Sequence, residues 1–179
     1  KRMRVVLTIA GSDSIAGAGI QADLKTFAAL GLYGTVAITA VTSQNTTGVG
    51  HVFAMPPQIV RSQIECVVQD VPLSAVKTGM LATAEIVLVV AEAVGRFQRP
   101  NLVVDPVMAA SAPGRRTLLS PEAVSIMKAR LFPVASVLSF GPDLVIGWAL
   151  WFALAAWRGA IPDSSALWLL PLTLLQTFF

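Results

Sequence analysis

The stretch from Ala10 to Lys25, A-G-S-D-S-I-A-G-A-G-I-Q-A-D-L-K, decides how the rest of the chain is read. Before it, Arg4 to Ala10 is a short apolar, β-branched run, the pattern of a strand buried on both faces. After it, Ile20, Leu24, Phe27 and Leu30 recur at helical spacing, and Gly31 stands where a left-handed residue closes a helix. A glycine-rich turn between a buried strand and a helix lets backbone approach a ligand closely. The N–H groups that open such a helix can hold a polar or anionic group. Asp23 falls in the first turn of this helix. There it is either a surface carboxylate that satisfies the helix dipole or an acceptor aimed at a ligand.

Gly17 to Ala22 also fits the dinucleotide fingerprint G-x-G-x-x-A. That fingerprint needs an acidic residue about 20 positions on for a ribose. After Asp23 the next acid is Glu65, so a nicotinamide or flavin site is not expected.

Outward from this loop the chain alternates strands and helices. Thr35 to Val41 is a second strand followed by a polar turn, Thr42 to Gly50. Pro56-Pro57 opens a helix over Gln58 to Gln69, because proline suits a first turn that needs no N–H. Ala75 to Lys77 is a brief strand. Thr83 caps a helix running to Arg96, Leu102 to Asp105 is a strand, Ser120-Pro121 starts a helix to about Leu131, and Val134 to Leu138 begins another strand. Continuous apolar strands between amphipathic helices imply an α/β fold with a parallel sheet covered on both faces. Ligands in such sheets gather at the carboxyl ends of the strands. Here those ends are Gly11 to Gly19, Thr42 to Gly48, Thr78 to Leu81 and Asp105 to Gly114, all polar or glycine-containing.

Composition excludes several classes. The chain has 179 residues, room for one full domain. Its single cysteine, Cys66, rules out an intramolecular disulfide and a cysteine-rich zinc site. On its helix Cys66 reads as a small core residue. One histidine, His51, rules out a His-based metal cluster, so no metal is assigned to a protein cage. The net charge of +3 is scattered, with Arg115-Arg116 read as a solvated loop, and no nucleic-acid partner is expected. Lys1-Arg2-Met3-Arg4 precedes only about six apolar residues, short of the 7 to 15 or so of a secretory signal, so a first strand is expected there.

Four segments together become recognisable: Ala10 to Lys25, I-T-A-V-T-S-Q-N-T-T-G-V from Ile38, V-K-T-G-M-L from Val76, and V-V-D-P-V-M from Val103. In order and register they resemble the hydroxymethylpyrimidine/phosphomethylpyrimidine kinases of thiamine biosynthesis, in the ribokinase-like superfamily. The resemblance runs from about Arg4 to Leu138 and corresponds to roughly the first half of such an enzyme. It implies a cytoplasmic phosphotransferase that uses ATP and Mg²⁺ on a small aminopyrimidine and then on its monophosphate, commonly as a homodimer.

Carried over position by position, the resemblance places Gly11, Asp23, Gln44, Met80 and Val107 on the substrate side. Asp23 and Gln44 would meet the ring's amino group and nitrogens, with Met80 and Val107 as apolar walls. Asp105 either organises Mg²⁺ and phosphate or caps a turn. Lys77 is either a phosphate contact or half of a charge pair. Two departures stand out. Ile15-Ala16 replaces the Ser-Gly common in the family, and nothing matches the family's second half with its ATP site, G-T-G anion hole and catalytic cysteine. No catalytic residue is therefore assigned, and this chain alone is expected to have no significant kinase activity. A pyridoxine-type vitamin kinase of the same superfamily is the alternative enzyme, with Q-N-T favouring the pyrimidine. A membrane-anchored ligand-binding module is the non-catalytic alternative.

The composition breaks near Ser139. Residues 1–139 carry 20 of the 23 charged residues and no tryptophan, whereas residues 140–179 hold Trp148, Trp151, Trp157 and Trp168. The expected organisation is a kinase-like unit over residues 1–138 and an apolar helical tail over 139–179. Leu144 to Trp157 is an uncharged run of 14 residues, shorter than the roughly 20 that span a bilayer. The tail resembles a membrane segment of an ABC-type polysaccharide export permease, which would bring membrane contact. A helix folded back over the sheet and a frameshifted or fused reading frame are the other readings.

Overall fold

A computed structural model describes residues 3–97, 101–108 and 117–139. Within them lie β1 (Val5–Asp13), α1 (Gly19–Ala29), β2 (Tyr33–Asn45), β3 (Gly48–Ala54), α2 (Pro57–Asp70), β4 (Leu73–Thr78), α3 (Ala84–Gly95), β5 (Asn101–Val104), α4 (Pro121–Arg130), a 3₁₀ turn (Phe132–Val134) and β6 (Val137–Leu138). The strands form one six-stranded sheet in the order β3-β2-β1-β4-β5-β6.

The helix signals in the sequence act as expected. Gly31 is left-handed with φ +67° just past α1, the conformation that a glycine adopts without Cβ clash. Thr83 and Ser120 cap α3 and α4, accepting from the N–H groups of Ile86 and Ala123.

The sheet is mixed rather than wholly parallel. β1 pairs in parallel with β2 and β4, and β5 with β4 and β6, but β3 runs antiparallel to β2. The expected polar turn over Thr42 to Gly50 is thus corrected to the far end of a long strand, a tight turn and the start of its hairpin partner. Asn45 explains the turn: its Oδ1 accepts from the N–H and hydroxyl of Thr47 and from the N–H of Gly48. A hairpin half exposed on an edge has no reason to be continuously apolar, so T-S-Q-N-T-T-G resembles a loop.

Side chains alternate across β1 and β4. Leu7, Ile9 and Val76 point into an apolar core with Val60 and Ile64 of α2, Ile86, Val87 and Val90 of α3, and Met127 of α4. Thr8 and Lys77 point to the opposite face, where α1 lies with Asp23. The helix after β1 and the helix after β4 therefore cover opposite faces. That makes the β1/β4 boundary a topological switch point, the place where open α/β sheets bind ligands. Cys66 is exposed, which corrects the expectation of a core position, because the buried stripe of α2 runs through Val60 and Ile64. Among the described residues no helix is long and apolar enough to cross a membrane. The apolar tail over 139–179, apart from Ser139, and the Arg115-Arg116 pair lie outside the described residues.

Candidate active site at the carboxyl ends of four strands

The glycine-rich turn is built on Asp13, a residue the motif reading passed over. Its carboxylate is 3% exposed. Oδ1 accepts from the N–H of Ile15, and Oδ2 from the N–H groups of Gly17 and Ala18, at 2.8–2.9 Å. The Asp13 N–H donates to Gln21 Oε1, and Gln21 Nε2 donates to Ser12 Oγ. Lys25 closes the turn by donating to the Ala16 carbonyl at 2.9 Å. An aspartate two to five residues ahead of small residues and glycines is the available sequence signal for such a fold-back.

The loop is joined to the end of β2. Ser14 Oγ donates to the Gln44 carbonyl and accepts from the Gln44 N–H. This fixes the Gln44 backbone while its carboxamide carries no hydrogen bond to another described residue. Gly11 and Met80 meet directly: a Cβ on Gly11 would lie 2.7 Å from Met80 Cε. The thioether thus covers bare backbone, and the Met80 carbonyl accepts from Thr39 Oγ1. Val107 sits half-buried beyond β5, its N–H donating to the Asp105 carbonyl.

Asp23 is 2% exposed, which sets aside the surface-carboxylate reading. Its Oδ2 accepts from Thr8 Oγ1 at 2.6 Å and its Oδ1 from Lys77 Nζ at 2.7 Å. Of the two readings of Lys77, the structure has the charge pair. Burial acts to lower the Lys77 pKa, but the charges of Asp23 and Asp105 and the hydrogen bond that Lys77 donates to Asp23 outweigh it, and the net shift is upward. Asp105 is pushed up by burial, with Lys77 opposing and Asp23 adding to the rise. The Asp105 N–H donates to the Thr78 carbonyl, which ties the end of β5 to β4. Among the described residues no three His, Cys, Asp or Glu side chains gather as a metal site.

The structure therefore brings Gly11 to Met80, and Asp23 to Lys77 with Asp105 within electrostatic reach. Gln44 and Val107 lie at the ends of the flanking strands. Two non-glycine residues with positive φ, Ala16 at 60° and Ala82 at 63°, sit in the loops that follow β1 and β4. Such conformations are uncommon away from functional loops.

A family model described as phosphomethylpyrimidine kinase matches residues 13–143. The chain belongs to this family. It is 49% identical over 133 residues to the hydroxymethylpyrimidine/phosphomethylpyrimidine kinase of Escherichia coli, a match covering 74% of this chain and 49% of that protein. The chain thus spans about half the length of this relative. A crystal structure of phosphomethylpyrimidine kinase from Clostridium difficile superposes with a TM-score of 0.69 at 48% identity, over 75% of this chain and 58% of that one. The pyridoxal kinase of Staphylococcus aureus, solved in complex with AMP-PCP and pyridoxal, superposes with a TM-score of 0.65 at 38% identity, over 76% of this chain and 47% of that one. Family membership thus rests on the N-terminal three-quarters of the chain, and the permease resemblance of residues 140–179 finds no support in these comparisons.

Proposed function

We propose that residues 1–138 form the substrate-side part of a hydroxymethylpyrimidine/phosphomethylpyrimidine kinase, the enzyme that phosphorylates an aminopyrimidine and its monophosphate with ATP. The observation that carries this reading is the convergence of all four family segments on the carboxyl ends of β2, β1, β4 and β5 around the switch point. Asp23 keeps acceptor positions beyond the two already occupied, since an ionised carboxylate offers about four. These would take the ring amino group, and the Gln44 carboxamide would bond a ring nitrogen. Met80, over the backbone of Gly11, and Val107 would pack on the ring faces.

Magnesium would be held by Asp105 together with phosphate oxygens of the nucleotide. Among the described residues no cluster of three such ligands forms, and a site of few carboxylates suits an ion that keeps waters and phosphates as its other ligands. When bound, Mg²⁺ supplies charge neutralisation for the transferring phosphoryl group. The role assigned to the described site is aminopyrimidine binding, and phosphoryl transfer is not assigned to it, since the motifs that by resemblance carry the family's ATP site and anion hole are not among its residues.

The likeness to pyridoxal kinase supports a pyridoxine-type substrate as the second reading. Calorimetric titration of the purified chain with hydroxymethylpyrimidine, pyridoxine and ATP separates them. Binding of the pyrimidine and no response to pyridoxine is the expected result. Asp23→Ala should abolish it. Tighter binding of pyridoxine, or magnesium-dependent turnover of ATP on the pyrimidine, would overturn the respective parts of the proposal.

A further inference from the structure

Lys77 is a base that the sequence offers to a phosphate and the fold spends elsewhere. Its ammonium lies 2.7 Å from Asp23 Oδ1, and its side chain is 14% exposed. It reaches from β4 across to α1, over 54 positions of chain. Just past Lys77, Gly79 brings the chain close to β1, where a Cβ would stand 2.9 Å from Ala10 Cβ. Thr8, on the neighbouring strand, holds the other carboxylate oxygen.

Two donors from two different strands, one on each oxygen, fix the rotation of a carboxylate as a single donor cannot, because turning the group breaks both bonds. We propose that Lys77, with Thr8, is a positioning residue that holds Asp23 as a directed acceptor for the exocyclic amino group of the pyrimidine. Asp105 faces the same ammonium electrostatically, whereas the neighbouring base, Lys25, is turned away to the Ala16 carbonyl. The inference rests on the ligand proposed above for Asp23 and adds what makes that residue selective.

The test uses the full chain in titration calorimetry with two ligands: hydroxymethylpyrimidine, and the analogue in which hydrogen replaces the ring amino group. The wild type should prefer the amino-bearing ligand. Lys77→Met should weaken that ligand about tenfold, the loss expected for a charge-assisted hydrogen bond, and leave the analogue within about twofold. Lys77→Arg should recover most of the loss. Thr8→Val should cost about threefold, on the amino-bearing ligand only. Should Lys77→Met fail to fold, the double variant Lys77→Met with Asp23→Asn removes both charges and should bind the two ligands equally. Equal losses on both ligands, or none, would mean that Lys77 only supports the fold. A wild type that binds neither pyrimidine would sink the ligand reading itself, a result distinct from failure of the Lys77 variants.

Discussion

The two faces of the sheet are made by alternate residues of the same strands, and they solve different problems. On the face covered by α2, α3 and α4, β1 and β4 present Leu7, Ile9 and Val76 to a continuous apolar cluster. The buried hydroxyls of Thr39 and Thr78 are minor intrusions there, the first donating to the Met80 carbonyl and the second without a partner. On the α1 face the same strands present Thr8 and Lys77 to a buried carboxylate. Apolar burial is non-directional and tolerates repacking, whereas a buried ion pair is satisfied only by one geometry. The contrast teaches that stability and directionality were placed one residue apart, so that the rigid apolar side backs the polar side.

Substitutions on the two faces should therefore fail in different ways. Lys77→Met strands the Asp23 charge and should cost about 3–5 kcal/mol in urea unfolding, with most of it regained when Asp23→Asn is added. Leu7→Ala should cost about 2–5 kcal/mol with no second-site charge change able to regain it. If the double variant is no more stable than Lys77→Met alone, the polar face is not organised around that pair.

A smaller effect separates Asp105 from the pair. Its folded pKa is raised, so the native state holds this proton more readily than the unfolded chain does. The resulting contribution to stability is complete below the unfolded value near pH ~4 and is lost as pH rises through the folded value. Asp105→Asn should accordingly flatten the stability profile above that range. It should stabilise the chain at pH 7 by on the order of 1 kcal/mol and change little near pH 3. A loss of stability at neutral pH would show that attraction to Lys77 outweighs burial.

The smallest effect belongs to the turn. Ala16 holds φ +60°, which disfavours any residue with a Cβ. Ala16→Gly should raise the unfolding free energy by a few tenths to about 1 kcal/mol, the relief of a left-handed conformation less the added chain entropy. A thermal melt that moves downward instead would mean that the stiffness of alanine matters more than its strain.

What could be read from the sequence followed the strength of local chemistry. Continuous apolar strands and capped helices were legible because Thr83, Ser120, Pro57 and Gly31 each act within a few residues of their position. The β2–β3 hairpin was not, since the far end of β2 and the edge strand β3 are half exposed, with Val41 and Phe53 open to solvent, and lack the continuous apolar run that marks a central strand. Gly11 and Met80 could be named from motifs, but their contact could not be inferred from residues so far apart in the chain. The same holds for Lys77: its type and strand were evident, and its pairing with Asp23 depends on a residue of α1 that is 54 positions away in the chain. Cys66 was misplaced because a helix tells its buried side only through its neighbours, and the stripe through Val60 and Ile64 passes it by.

The strand order carries a consequence for the order of assembly. β1 and β2 can pair as soon as α1 has formed, but the other edge of β1 must wait for β4, which is made after the hairpin and α2. Until then Asp23 has Thr8 and no counterion. On a ribosome that delivers roughly 5–20 residues each second, β4 follows β2 by several seconds, and any pairing of β1 with β2 in that time leaves the other edge of β1 open. The arrival of Lys77 supplies that counterion, so the ion pair marks the pairing of β4 with β1, an event that proteolysis of stalled chains cut before and after residue 77 would register.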